Sequence, residues 1–284
     1  MSPPTQKNLG VGSPRNTVLV VVPILLVLIT FFFWYQTWFG RALSDQEMGN
    51  YLVDTSVPHK TQHALSQLSE RMARGDPTAK RWYPQLLALA ESREPQIRLE
   101  AAWAMGQDNH SEEFHQALNK LIHDAEPMVR RNAALALVRF GDGAGEPELR
   151  SMLEPFTLVS PCPGTLKFRL KEQDAVRDGT ILARVRPQGS DKQSDVVSPV
   201  GGNIKRLLVK DGACVAEGEA LALITPDEGQ VWESLRALYL VGQPQDLVDV
   251  ERFAQPLPNM SDRVRQQAAA TAQAIRQRAG KAKG

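Results

Sequence analysis

The chain has 284 residues and a formal net charge of +1. That near-neutral balance excludes a nucleic-acid binder, which needs a strongly basic domain. Two cysteines, Cys162 and Cys214, exclude a disulfide framework and a CxxC metal or redox site, although one Cys162–Cys214 bridge stays open outside the cytoplasm.

Residues 1–17 are rich in Pro, Gly, Ser and Asn and read as a disordered N-terminus. Residues 18–39, VLVVVPILLVLITFFFWYQTWF, carry no charge. At 1.5 Å per residue such a run spans a hydrocarbon core about 30 Å thick. Trp34, Tyr35 and Trp38 gather at one end, where amphipathic rings favour the membrane interface. The alternative, a cleaved signal peptide, fits less well. The run exceeds the usual h-region and no A-x-A site follows. Lys7 and Arg15 precede the run and Arg41 follows it. The positive-inside rule then puts the N-terminus inside. The expectation is a single-pass inner (cytoplasmic) membrane protein with its bulk periplasmic or extracytoplasmic. Residues 40–55 read as a linker.

Residues 56–155 and 227–278 repeat a helical pattern. Glu94–Met105 (EPQIRLEAAWAM), Glu126–Leu137 (EPMVRRNAALAL) and Asp262–Gln273 (DRVRQQAAATAQ) each place an aliphatic residue before Arg, then small residues three and four positions after it. Pro95 and Pro127 stand near helix starts, where a missing N–H costs nothing. A second amphipathic helix precedes each of the first two, over Trp82–Ala90 and Phe114–Ile122. Asp124, Pro127, Val129, Arg130, Ala133, Ala134, Ala136 and Leu137 resemble the HEAT-repeat pattern D-x-x-P-x-V-R-x-x-A-A-x-A-L. The resemblance implies an α-solenoid, which offers extended surfaces to protein partners. It also implies a polar ladder from Arg98, Arg130 and Arg265 to acids such as Asp108, Asp124 and Asp142.

The aliphatic positions Ile97 and Val129 lie 32 residues apart, but Val129 and Val264 lie 135 apart. A weaker copy at Val231–Gly242 lies 33 residues before the last one. About 70 residues therefore interrupt one repeat between a first helix, Pro147–Leu153, and a second, Val231–Val241.

Within residues 156–226 the pattern turns to short alternating runs of Val, Ile, Gly and Pro. The segment is internally duplicated. Val159-Ser-Pro-Cys-Pro-Gly-Thr-Leu-Lys matches Val197-Ser-Pro-Val-Gly-Gly-Asn-Ile-Lys, and a V-x-x-G-x-x-[LI] pattern follows in each half. Two such halves resemble the biotinyl/lipoyl domain, a barrel-sandwich hybrid also found in membrane-fusion, or periplasmic adaptor, subunits of transporters. The fold class expected is thus multidomain α+β: an N-terminal transmembrane helix and a HEAT-like solenoid interrupted by a small all-β biotinyl/lipoyl-like sandwich. Residues 279–284 form a basic tail.

The resemblance raises one attachment site. Carriers present a modified Lys in the hairpin between the halves. Here that hairpin reads RPQGSDKQSD, with Lys192 near the tip. Counting back from Ser198-Pro199, the Lys position falls on Asp191. A solvated hairpin charge is the plainer reading of Lys192, and no cofactor is expected. His59 and His63 have the i, i+4 spacing of metal ligands, but no Cys or acidic cluster accompanies them. No GxSxG, HExxH, P-loop or GxGxxG occurs. No catalytic or metal residue is assigned. The aromatics Trp82, Tyr83, Trp103, Trp232 and Tyr239 read mostly as core, with Trp82-Tyr83 open to an interface role.

Three functions remain. The first is a non-enzymatic, membrane-anchored scaffold or accessory subunit whose partner is an integral-membrane complex, respiratory or transport. It touches the lipid bilayer through one helix. The second is a periplasmic adaptor of a transporter. The third is a biotin- or lipoate-carrier subunit modified at Lys192.

Overall fold

The computed structural model describes residues 21–32, 41–189 and 192–281. The chain divides into two units, Met1–Met48 and Gly49–Gly284.

In the first unit, residues 21–32 form helix α1, with every residue exposed. Thr30 is its one polar residue, and its Oγ1 donates to Leu26 O at 2.8 Å, which satisfies the hydroxyl within the helix. No helix among the described residues is long and apolar enough to cross a membrane. Residues 18–20 and 33–39 of the expected span lie outside the described residues, as does the expected disordered segment 1–17. The expected linker 40–55 carries a helix, α2 (Asp45–Val53). Its cause is a capping box. The Ser44 amide donates to Glu47 Oε2 at 3.0 Å, and the Glu47 amide donates back to Ser44 Oγ at 3.3 Å.

In the second unit, helices α3 (Pro58–Ala73), α4 (Tyr83–Leu89), α5 (Pro95–Met105), α6 (Glu112–Leu121), α7 (Pro127–Arg139) and α8 (Glu146–Ser151) precede the strands. Helices α9 (Glu228–Val241), α10 (Leu247–Phe253) and α11 (Asp262–Lys281) follow them. Short 3-10 turns, Pro77–Trp82 and Pro244–Asp246, lead into α4 and α10. Pro95 and Pro127 open α5 and α7, so no hydrogen bond is lost. Ser111 caps α6 by accepting from the Phe114 amide. Asp227 caps α9 through the Gln230 amide.

Helices α3, α5, α7, α9 and α11 pack side by side in one row, with α4, α6, α8 and α10 against it. The Ala positions make the row tight. Ala101, Ala102, Ala133, Ala134 and Ala268 are fully buried. A Cβ placed on Gly106 would sit 2.9 Å from the Ala136 Cβ, so α5 and α7 meet almost backbone to backbone.

Eight strands interrupt this series. They are β1 (Phe156–Val159), β2 (Gly164–Phe168), β3 (Ala175–Val176), β4 (Ile181–Arg186), β5 (Ser194–Val197), β6 (Gly202–Leu207), β7 (Cys214–Val215) and β8 (Ala220–Pro226). They form two antiparallel sheets, ordered β1-β8-β6-β3 and β5-β4-β2-β7. Each sheet takes two strands from each half of the duplication, so neither half closes a core alone. The halves also exchange reciprocal bonds. Gly218 N donates to Ser160 O at 2.8 Å, and Gly179 N donates to Ser198 O at 2.9 Å. Gly202 permits one close approach: a Cβ there would lie 1.8 Å from Thr225 O. Leu166, Leu182, Val185, Ile204, Leu221 and Ile224 fill the core between the sheets, fully buried.

The first and last strands pair, with Phe156 opposite Ile224. The chain therefore leaves the strands beside the point where it entered them. That closure lets the helical row resume. Leu149, Leu153, Val231, Leu235, Leu238, Val264 and Ile275 share one buried cluster. The result is a mixed α and β architecture in which helices on both sides of the strands build a common core.

Candidate functional site: the α5–α7–α9 cleft

The repeats first fix a ladder of polar contacts along the row. Arg98 on α5 binds Asp124 bidentately, Nε to Oδ2 at 2.6 Å and Nη2 to Oδ1 at 2.8 Å. This bond holds the Asp124 carboxyl below its usual range, and it raises Arg98. Arg98 Nη1 also donates to the carbonyls of Ser92 and Arg93. Arg130, 32 residues on, repeats this with the carbonyls of Asp124 and Ala125. Its acid differs. The position 32 residues after Asp124 is Phe156, the first strand residue, so Arg130 turns to Glu148 on α8 at 2.9 Å.

The other expected rungs fall differently. Tyr83 Oη donates to Asp108 Oδ2 at 2.6 Å. Burial and this bond to Asp108 raise the Tyr83 phenol. Burial alone would raise Asp108, but the Tyr83 and His110 donors outweigh it and lower the carboxyl. His115 Nε2 lies 2.7 Å from Asp142 Oδ2. Arg265 pairs with Asp262 on its own helix at 3.0 Å and makes no inter-repeat rung among the described residues.

At the strand junction stands Arg131, 4% exposed. Its Nη1 donates to Gln230 Oε1 on α9 at 2.7 Å, and its Nε reaches Glu148 Oε1 at 3.4 Å. The guanidinium lies over the Phe156 ring, 5.9 Å from the centroid. Gln230 Nε2 donates onward to Met152 O at 2.7 Å. One side chain thus ties α7, α8, β1 and α9 together. Burial lowers the Arg131 pKa, and Glu148 opposes that shift.

Above this junction α5, α7 and α9 open into a cleft of about 620 Å³. Trp103, Gln107, Met128, Asn132, Leu135 and Arg139 form one wall, Glu233, Arg236 and Leu240 the other, and Asp178, Val200 and Gly201 of the strand turns close one side. Trp103 is 51% exposed and Leu240 59% exposed. Trp103 also lines a second hollow of about 360 Å³, with Gln62, Leu65, Ser66, Ser69 and Glu100. Burial raises the carboxyls of Glu100 and Glu233, the latter further through Asp227. The cleft thus combines exposed apolar anchors with polar walls of both signs, as protein-binding surfaces do.

Trp103 departs from its expected core role. Its neighbours Ala102 and Ala104 point into the row and are fully buried, which leaves Trp103 facing out. Tyr239 is 44% exposed as well. Trp82 is core instead, with the guanidinium groups of Arg71 and Arg81 5.1 and 4.7 Å from its ring centroid. Trp232 is half-buried beneath Arg263, 3.6 Å from its ring centroid. Arg131 and Gln230 escaped the sequence reading.

Other singled-out residues do not converge. Lys192 is exposed in the β4–β5 connection, and Asp191 lies outside the described residues. His63 Nε2 meets Gln67 Nε2 at 3.0 Å. Among the described residues no group of three His, Cys, Asp or Glu could hold a metal. Cys162 and Cys214 are free thiols, so the open bridge is not formed.

Residues 83–158 match HEAT repeats. That stretch runs from α4 through α8 into β1 and contains the Arg98 and Arg130 rungs. HEAT repeats generally mediate protein–protein interaction, in keeping with the exposed anchors of the cleft. No curated protein matches the chain in sequence. Among solved structures, an aspartoacylase family protein from Mesorhizobium loti is 25% identical over 25% of each chain, with a TM-score of 0.23. The chain spans about a quarter of that protein, and the likeness carries no argument about function.

Proposed function

We propose that the chain is a non-enzymatic, membrane-anchored scaffold, an accessory or assembly subunit of an integral-membrane complex, respiratory or transport. The observation that carries this reading is the cleft. Trp103 on α5 and Leu240 on α9 stand exposed on second helices of a HEAT row, with α7 between them, and are flanked by charges of both signs. Aromatic and aliphatic anchors inside a polar rim are the anatomy of a protein-binding site. The anchor reading draws on the uncharged run 18–39, of which residues 21–32 form an apolar helix exposed along its length. Tethering raises the local concentration of such a surface beside membrane partners. In this reading the bulk of the chain lies outside the cytoplasm.

Affinity purification after mild detergent extraction, at native expression level, tests it. A stoichiometric integral-membrane partner should co-purify with the wild type and be lost from a Trp103→Ala/Leu240→Ala variant. Recovery of the chain alone would overturn the reading.

A second reading rests on the β module. Its interlocked halves and reciprocal glycine bonds support a biotinyl/lipoyl-like fold, and with it an adaptor role in a transporter. A partner that is a transporter would favour the adaptor, a respiratory complex the scaffold. The carrier reading is separate: an intact mass without biotin or lipoate on Lys192 ends it.

A further inference from the structure

We propose that the outer face of the β5-β4-β2-β7 sheet is a second docking surface, one that takes an extended acidic segment of a partner protein. Lys167, Arg169, Arg184 and Arg186 line one cleft of about 560 Å³, with Thr165 and Gln193. The register sets Lys167 opposite Arg184 and Thr165 opposite Arg186. Like charges directly opposite across two strands destabilise a sheet, so folding alone gives no reason for this pairing. Of the two nearby acids, Asp195 pairs with Arg184 and Asp211 lines the cleft, and neither pairs with Lys167, Arg169 or Arg186. Asp195 Oδ1 accepts from Arg184 Nε at 2.8 Å, and Asp211 Oδ1 accepts from the Phe168 amide at 2.7 Å. The Lys167, Arg169 and Arg186 side chains have no hydrogen-bond or ion-pair partner among the described residues. Three unpaired cations therefore face one recess.

Spacing selects the occupant. Alternate residues on a strand stand about 6.6 Å apart, so Arg186, opposite Thr165 at one end, Lys167 in the middle and Arg169 at the other end spread cations over roughly 13 Å. A single phosphate is too compact to meet cations spread along such a row. A bilayer is planar and meets a recessed surface poorly. An extended peptide repeats its own side chains at the same interval. Carboxylates at alternate positions can therefore meet successive cations in charge-assisted hydrogen bonds. This surface is separate from the α5–α7–α9 cleft and does not depend on the anchor.

Fluorescence anisotropy with the full chain in detergent micelles tests it. The probe is a labelled peptide alternating Glu with Thr; the control replaces Glu by Gln. The Glu peptide should bind with an affinity that falls as salt rises, and the Gln peptide should not bind. The Lys167→Glu/Arg169→Glu/Arg186→Glu variant should lose at least about tenfold in affinity while keeping its thermal midpoint, because all three side chains are exposed. If that variant unfolds, Arg186→Glu alone should lose about threefold. Equal binding by wild type and variant overturns the proposal. So does a peptide affinity left unchanged while charge reversal weakens binding to phosphatidylserine vesicles, which would make the face a lipid-binding surface.

Discussion

Arg131 and Gln230 lie 99 residues apart in sequence and share a hydrogen bond of 2.7 Å. The strands lie between them, yet the bond joins α7 to α9 as though the chain ran straight on. Phe156 packs beside it at the first strand, and Asp227 caps α9 just after the last. The junction is therefore a built seam between helices and strands.

Breaking this seam should cost stability. Arg131→Ala leaves Glu148 and Gln230 short of a buried partner and should destabilise by about 3 kcal/mol. Gln230→Ala should cost less, and a double-mutant cycle should return a coupling of about 1–3 kcal/mol. Chemical denaturation of the four proteins measures both. Additive losses would mean that the bond contributes nothing beyond its parts.

Gly106 should tolerate no larger residue. A Cβ there already meets Ala136 at 2.9 Å. Gly106→Leu must push α5 from α7 and should cost about 1–3 kcal/mol. A shift in thermal midpoint reads this directly.

Stability should depend on pH through Glu146. This carboxyl lies beside Asp246, whose side chain is fully buried, and Arg150 stands 3.8 Å from both. Burial and the Asp246 carboxyl push Glu146 up from 4.5 to about 7. The folded state then holds a proton that the unfolded chain releases. The contribution is complete below the unfolded value of 4.5 and is lost as pH rises through about 7. Thermal midpoints should fall between about pH 5 and pH 8, and Glu146→Gln should flatten that slope. An unchanged slope in the variant would assign the dependence elsewhere.

Trp103→Ala should behave in the opposite sense to the seam variants. The side chain is half exposed, so stability should move by no more than about 0.5 kcal/mol. Partner recovery should fall sharply. Equal partner recovery with lowered stability would make Trp103 a structural residue.

Much of the helical architecture is legible in the sequence, and for a physical reason. Asp124, Pro127, Arg130, Ala133 and Ala134 each act locally, by accepting the previous Arg, starting a helix or letting helices approach. Local roles leave marks at fixed spacing. The seam leaves no such mark. Arg131 differs from Arg130 by one position and by identity not at all; only tertiary packing buries one and leaves the other half exposed. The Glu146–Asp246 pair joins residues 100 apart, with no periodicity to link them. Trp103 looks like core because it is large and apolar, but its helix face decides otherwise. Helix α2 escaped in a stretch read as linker, although Ser44 and Glu47 carry the capping-box spacing.

Photo-crosslinking in native membranes is the most direct test of the cleft as a partner site. A photoreactive residue at position 103 or 240 should join the chain to one and the same integral-membrane protein. The same residue at position 116, exposed on α6 away from the cleft, should give no adduct. Adducts from position 116 alone, or from none of the three, would contradict the cleft as the site of partner binding.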